Sequence, residues 1–164
     1  MFPPLSVLIV DDDPLCSTML RTKWLSAMPD SVVACRHEAD VSGEFDVYLI
    51  DNNFHGHPLA VQLTRQARLG SPSSLIVVFS SDVDRKCLKG LLNAGCDAVA
   101  EKTNEEDLKM LLDLGRRYRQ AREHQLAEDR PSRGRRSSLH AAAELLKQWN
   151  RRLELSKGLE GVRG

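Results

Sequence analysis

The stretch Val7-Leu8-Ile9-Val10-Asp11-Asp12-Asp13-Pro14 (VLIVDDDP) sets the reading of the whole chain. Four consecutive apolar residues, without alternation, suit a strand buried on both faces of a parallel sheet. Three carboxylates then stand at the strand's end. Asp13 before Pro14 is a helix-capping residue followed by proline at the first helical position. A strand followed by an acidic turn and a helix start is how an alternating α/β chain opens.

Further runs of the same kind follow at Val32–Cys35, Val47–Ile50 and Leu75–Phe79, with a weaker fifth at Ala98–Ala100. Between them the apolar residues recur at helical spacing. Cys16, Leu20, Trp24 and Met28 share one face; so do Ala60, Leu63 and Ala67, and Leu88, Leu91 and Leu92. Gly95 closes a helix ending near Ala94. Thr103-Asn-Glu-Glu106 reads as a capping box opening a last helix with Leu108, Leu111, Leu112 and Tyr118 on its apolar side. The fold class is therefore α/β, a doubly wound parallel sheet. One connection is short. Only about eleven residues, Arg36 to Asp46, join the second strand to the third, where a parallel crossover needs about a dozen or more. An irregular link is expected there, with part of the sheet less well covered.

The 164 residues allow one domain with a core and an appendage. No apolar stretch is long enough to span a membrane, and Leu5–Val10 is too short and lacks the basic flank of a signal peptide. A soluble, cytoplasmic protein is expected. Cys16, Cys35, Cys87 and Cys96 are scattered without a zinc-ligand spacing and read as buried free thiols. His55 and His57 flank Gly56, but two histidines without further ligands do not make a metal site.

Charge is uneven: up to Gly115 the chain has 10 Lys+Arg and 17 Asp+Glu, and from Arg116 onward 13 and 6. Domain boundaries follow: a body at 1–120, a basic polar linker at 121–138 containing Pro131 and Gly134, and an amphipathic helical tail at 139–164. In the tail, Leu139, Ala142, Leu146, Trp149 and Leu153 alternate spacings of three and four, a stripe that fits either a weak homodimer or docking on the chain's own body.

In doubly wound sheets ligands bind beyond the carboxyl ends of the strands. The residues there are Asp11, Asp12 and Asp13, then Asp51, then Ser80 and Ser81, then Lys102. Clustered carboxylates repel and call for a cation, and Mg2+ prefers oxygen ligands while leaving positions for phosphate oxygens. A carboxylate can itself serve as a phosphoryl acceptor. A lysine and a hydroxyl opposite it can hold the phosphoryl oxygens.

The strings VLIVDDDP, VYLIDNN, LIVVFSS and AGCDAVAEK fall in the order and spacing of bacterial response-regulator receiver domains, and the chain resembles that family over roughly residues 5–120. The resemblance implies a flavodoxin-like five-stranded sheet in the order 2-1-3-4-5, with a shortened second crossover and an added C-terminal helix. It implies Mg2+ held by Asp11, Asp12, Asp51 and the backbone carbonyl of Asn53. Asp51 becomes the phosphoacceptor, Lys102 its partner and Ser80 the hydroxyl on the phosphoryl group, with Ser81 beside it and Asp13 left as the cap. The implied partners are a histidine kinase or phosphotransfer protein and a downstream protein target. The protein would not be an enzyme in the usual sense, although Mg2+-dependent self-phosphorylation and dephosphorylation at Asp51 are expected.

Three positions depart from the family pattern. Thr103 stands where a proline follows the lysine, which disfavours a cis peptide there. Val99 stands where an aromatic switch residue is common, and His55 where a proline is usual. These changes favour an alternative, a phosphorylation-independent receiver-like adaptor. A further alternative is weak nucleic-acid binding through the basic tail. No helix-turn-helix or winged helix is seen that would read sequence. His140 lies on a single helical segment, which cannot build a phosphotransfer bundle.

Overall fold

The computed structural model describes residues 2–81 and 85–128. Its elements are β1 (Ser6–Val10), α1 (Pro14–Ala27), β2 (Val32–Arg36), β3 (Val47–Ile50), β4 (Asn53–Phe54), β5 (His57–Pro58), α2 (Ala60–Gly70), β6 (Leu75–Ser80), α3 (Arg85–Asn93), β7 (Ala98–Glu101) and α4 (Glu105–Glu128). Five parallel strands form one sheet in the order β2-β1-β3-β6-β7. That is the 2-1-3-4-5 order the resemblance to receiver domains implies. Contacts divide the chain into two units, Pro3–Arg116 and one beginning at Arg117, the latter described as far as Glu128.

The continuous apolar runs of β1, β3 and β6 are buried on both sides, as their lack of alternation requires. Leu8, Val10, Tyr48, Ile50, Ile76 and Val78 form a core with Ala60, Leu63 and Ala67 of α2 and Leu91 of α3. Leu20 and Trp24 on α1 and Met28 just past its end are buried; an aliphatic side chain such as Leu20 removed from water contributes about 1.5–3 kcal/mol. Asp13 caps α1 as expected, its Oδ1 accepting the Leu15 N–H at 2.9 Å with Pro14 at the first position.

Between β2 and β3 the chain is irregular. Arg36 Nη1 donates to the Ser42 carbonyl at 2.7 Å. Tyr48 Oη donates to the Gly43 carbonyl at 2.6 Å and accepts the Phe45 N–H at 3.2 Å. Val41 is buried and Phe45 packs against the core, so two side chains do what a helix does elsewhere. The coverage stops at the sheet edge, where Val32 is 62% exposed and the rest of β2 is half-buried.

Gly95 ends α3 with a φ of +99°. The Gly95 N–H donates to Leu92 O and the Cys96 N–H to Leu91 O, a paired closure that glycine's left-handed backbone permits. The thiol expectation holds fully only at Cys96, which burial pushes up to about 12; Cys16, Cys35 and Cys87 are half-buried. Sequence reading overlooked Arg68, which donates to the carbonyls of Pro72, Ser74 and Gly95 and pairs with Asp97 at 2.7 Å. One guanidinium thus ties the end of α2 to the start of β6 and the turn before β7.

The last helix departs from expectation in its cap, its buried face and its length. Its cap is Asn104, not Thr103: Asn104 Oδ1 accepts the N–H groups of Glu106 and Asp107, asparagine being at least as good a cap as threonine. Its buried positions in the first unit are Leu111, Leu114 and Gly115, while Leu108 and Leu112 are half-buried. The helix also continues through 121–128, within the stretch expected to be linker. The stripe from Leu139 to Leu153 lies outside the described residues.

Gly115 marks where α4 meets α1. A Cβ there would lie 2.5 Å from Trp24 Cη2 and 2.8 Å from Met28 Cε. Trp24 is fully buried, so its ring has little room to yield. Gly115→Val should therefore lower the urea-unfolding free energy by about 2 kcal/mol through overpacking, despite valine's better helix propensity. An unchanged midpoint would show that the two helices can separate at no cost.

Candidate functional site

The sheet topology places the ends of β1, β3, β6 and β7 side by side. Because β1 lies between β2 and β3, the Asp11 N–H donates to Arg36 O at 3.1 Å and the Asp51 N–H to Val10 O at 2.8 Å. Each aspartate leaves its strand while still fixed to it. The Lys102 N–H likewise donates to Ser80 O at 2.9 Å, which holds the lysine's backbone beside the end of β6.

Carboxylate oxygens of Asp11, Asp12 and Asp51 lie within 4.8 Å of one another. Asp11 and Asp51 are buried and Asp12 half-buried. Lys102 Nζ reaches Asp11 Oδ2 at 2.7 Å and Asp51 Oδ1 at 3.1 Å, with its side chain 9% exposed. The two buried negative charges thereby share one buried positive charge. Asp11 Oδ1 accepts the Asp13 N–H and Asp51 Oδ1 the Asn52 N–H. Among the described residues no hydrogen bond or ion pair is made to Asp51 Oδ2, so the two oxygens of the residue are held unequally.

Burial pushes the Asp51 carboxyl above the usual range, and Lys102 opposes the rise. For Lys102 burial acts downward, but the hydrogen bond and charge of Asp11, with the charge of Asp51, outweigh it and hold the ammonium above its ordinary value. The donor set is wholly oxygen, with more carboxylate than one lysine neutralises, and that chemistry fits Mg2+.

The other expected residues fall around this group. Ser80 is the last residue of β6 and buried, while Ser81 is exposed. Both border a cleft of about 540 Å³ that opens beside Asp51 and also takes in Asn53, Lys86 and Cys87. Asn53 stands at the start of β4 on this cleft, exposed. Asn52 Oδ1 is buried there without a hydrogen-bond partner among the described residues. The peptide bonds around Lys102 and Thr103 are trans, as no cis bond occurs among the described residues.

Two features of the site were not anticipated. Lys86 brings a second cation to the cleft, and nothing in its helical position announces that. The segment after Asp51 is a small hairpin, β4 with β5, that turns at His55 (φ 49°) and Gly56 (φ 85°). Positive φ at both central residues is the turn that matches strand twist. The Gly was a signal, but histidine ahead of it masked the pattern. The turn carries His55 to Asp12: its N–H donates to Asp12 Oδ2 at 2.8 Å, and its Nδ1 lies 3.2 Å from the same oxygen.

No protein-family model matches the chain, and no curated protein sequence matches it. Solved structures do. The chain is similar to the BeF3-activated receiver domain of DrrB from Thermotoga maritima, with 16% identity, a TM-score of 0.61, and coverage of 71% of this chain and 98% of that one. A CheY-like receiver from Methanospirillum hungatei is 21% identical, with a TM-score of 0.57 and coverage of 67% and 94%. A Burkholderia pseudomallei response regulator, solved with a phosphorylated aspartic acid, calcium ion and citrate, is 16% identical, with a TM-score of 0.57 and coverage of 76% and 75%. At such identities the likeness is one of architecture, and on that ground the chain has the fold of response-regulator receiver domains.

Proposed function

We propose that the protein is a response-regulator receiver that takes a phosphoryl group on Asp51 from a histidine kinase or phosphotransfer partner and signals through protein contacts. The observation that carries this reading is the asymmetry of Asp51, which borders the cleft: Oδ1 is held by Lys102 and the Asn52 N–H, while Oδ2 has no such partner among the described residues. In the transfer, Oδ2 forms the new O–P bond as the P–N bond to the donor imidazole breaks, and the released electron pair stays on the donor nitrogen. Lys102, already between Asp11 and Asp51, holds negative charge as it accumulates. In this reading Ser80, buried at the end of β6, donates its hydroxyl to a phosphoryl oxygen. Asp11, Asp12 and Asp51, with the carbonyl of Asn53, would hold Mg2+, which supplies charge neutralisation at the transferring group. The similar Burkholderia pseudomallei regulator, carrying a phosphorylated aspartic acid and a calcium ion, supports the same use of the fold.

The test is intact-protein mass spectrometry after incubation with a small acyl phosphate. An added phosphoryl group that maps to Asp51, requires Mg2+ and is released by hydroxylamine is the expected result. Labelling indifferent to a chelator, or none, would leave the adaptor reading. That reading has one observation in its favour: Val99 is buried in the core, so no aromatic at this position can turn between the site and the surface.

A further inference from the structure

The His55 turn brings an imidazole to a site otherwise made of oxygen. Among the described residues, His55 is the histidine whose ring nitrogen pairs with one of the three carboxylates. Its backbone is fixed by the left-handed turn and by the N–H on Asp12 Oδ2 at 2.8 Å, so the α-carbon stays beside Asp12 whatever the ring does. The ring itself is 80% exposed.

We propose that His55 supplies a nitrogen ligand to the divalent ion at Asp12, giving this site a preference for transition-metal dications that an all-oxygen site lacks. The inference rests on the reading that the three carboxylates hold a divalent cation. Neighbouring ligands of an octahedral ion with bonds of about 2.1 Å stand about 3 Å apart. The Nδ1 to Oδ2 separation is 3.2 Å, so both atoms can serve one ion on the outer, Asp12 side of the group. Imidazole suits the later first-row ions, whereas Mg2+ keeps to oxygen and dehydrates reluctantly. A nitrogen offered at this place therefore favours Co2+ and leaves Mg2+ little changed. The alternative is that Nδ1–H only donates a hydrogen bond to Asp12, in which case the ring is indifferent to the ion.

Titration calorimetry with Co2+ and with Mg2+, on the full chain and on His55→Ala, separates the two. The variant should bind Co2+ about tenfold more weakly, in the range that loss of a supporting metal contact produces, with Mg2+ affinity within about twofold and His57→Ala unchanged. Pulsed electron paramagnetic resonance of the Mn2+-loaded protein should show coupling to a directly bound nitrogen in the parent and none in His55→Ala. An equal Co2+ to Mg2+ affinity ratio in parent and variant, or a nitrogen coupling that is absent from the parent or survives the substitution, overturns the inference while leaving the cation site standing. A parent that binds neither ion overturns the reading beneath it as well.

Discussion

Asp51→Asn will carry no acyl phosphate under conditions in which the parent protein is labelled, and it will fold. Asparagine keeps the shape of aspartate and its backbone N–H to Val10 O, which anchors the residue at the end of β3. It also removes one of two buried negative charges that lie close together, leaving Lys102 to Asp11 alone at 2.7 Å. An amide oxygen, however, is a poor nucleophile toward phosphorus, and the all-or-none loss follows from the chemistry of the group rather than from a disturbed site. Unfolding in urea should show the variant at least as stable as the parent, because burial disfavours the carboxylate it replaces. Persistent labelling in a folded Asp51→Asn would move the acceptor elsewhere, Asp11 and Asp12 being next in line.

Much of this was legible because buried parallel strands leave a plain mark. Runs such as Val47–Ile50 and Leu75–Phe79 cannot alternate when both faces are covered, and each was found as a strand of almost the same extent. The strand ends were legible for the same reason. Once the order of strands is fixed, Asp11, Asp51 and Lys102 have nowhere to be but together. What escaped depends on distances that no periodicity encodes. Gly115 looks like a weak point in a helix and is instead the place where Trp24 needs room. Arg68 looks like a surface cation and instead satisfies three carbonyls and Asp97.

The hairpin after Asp51 shows a third kind of loss. Its two-residue strands are too short for any pattern to register, and its turn uses histidine where asparagine or aspartate would have announced it. The consequence reaches the carboxylate cluster, since this turn is what delivers His55 to Asp12. The departure at position 103 has a milder outcome. Lys102 meets both carboxylates through a trans peptide, so the missing proline does not keep the lysine from its place.

Lys102→Met should be the most destabilising single change at the site and should make stability depend on pH in a defined direction. In the parent, the ammonium lies between Asp11 and Asp51 with 9% of its side chain exposed. Methionine fills similar space but leaves two carboxylates buried without a cation, and removing one partner of a buried ion pair costs about 3–5 kcal/mol. The sign follows from Asp51. Its folded pKa is already raised, by burial first, with Lys102 working to lower it; without the lysine the rise is larger. A carboxyl whose folded pKa exceeds its unfolded value of 3.8 holds its proton more tightly in the folded state, so its contribution to stability falls as pH rises from there through the folded value. As pH falls toward the ordinary carboxyl value of 3.8, the raised Asp51 takes up its proton and the gap between the two proteins narrows. Toward pH 7 the variant must ionise buried, unpaired groups, and the gap should widen to about 3 kcal/mol. On the alkaline side the advantage reverses its course. Lys102 has a raised folded pKa, so its stabilisation is complete below its ordinary 10.5 and is lost as pH climbs through the folded value. Urea midpoints of parent and variant at three pH values measure this directly. A gap that stays constant from pH 4 to pH 7 would mean that Lys102 is retained for phosphoryl contact alone and does not hold the carboxylates of the folded site together.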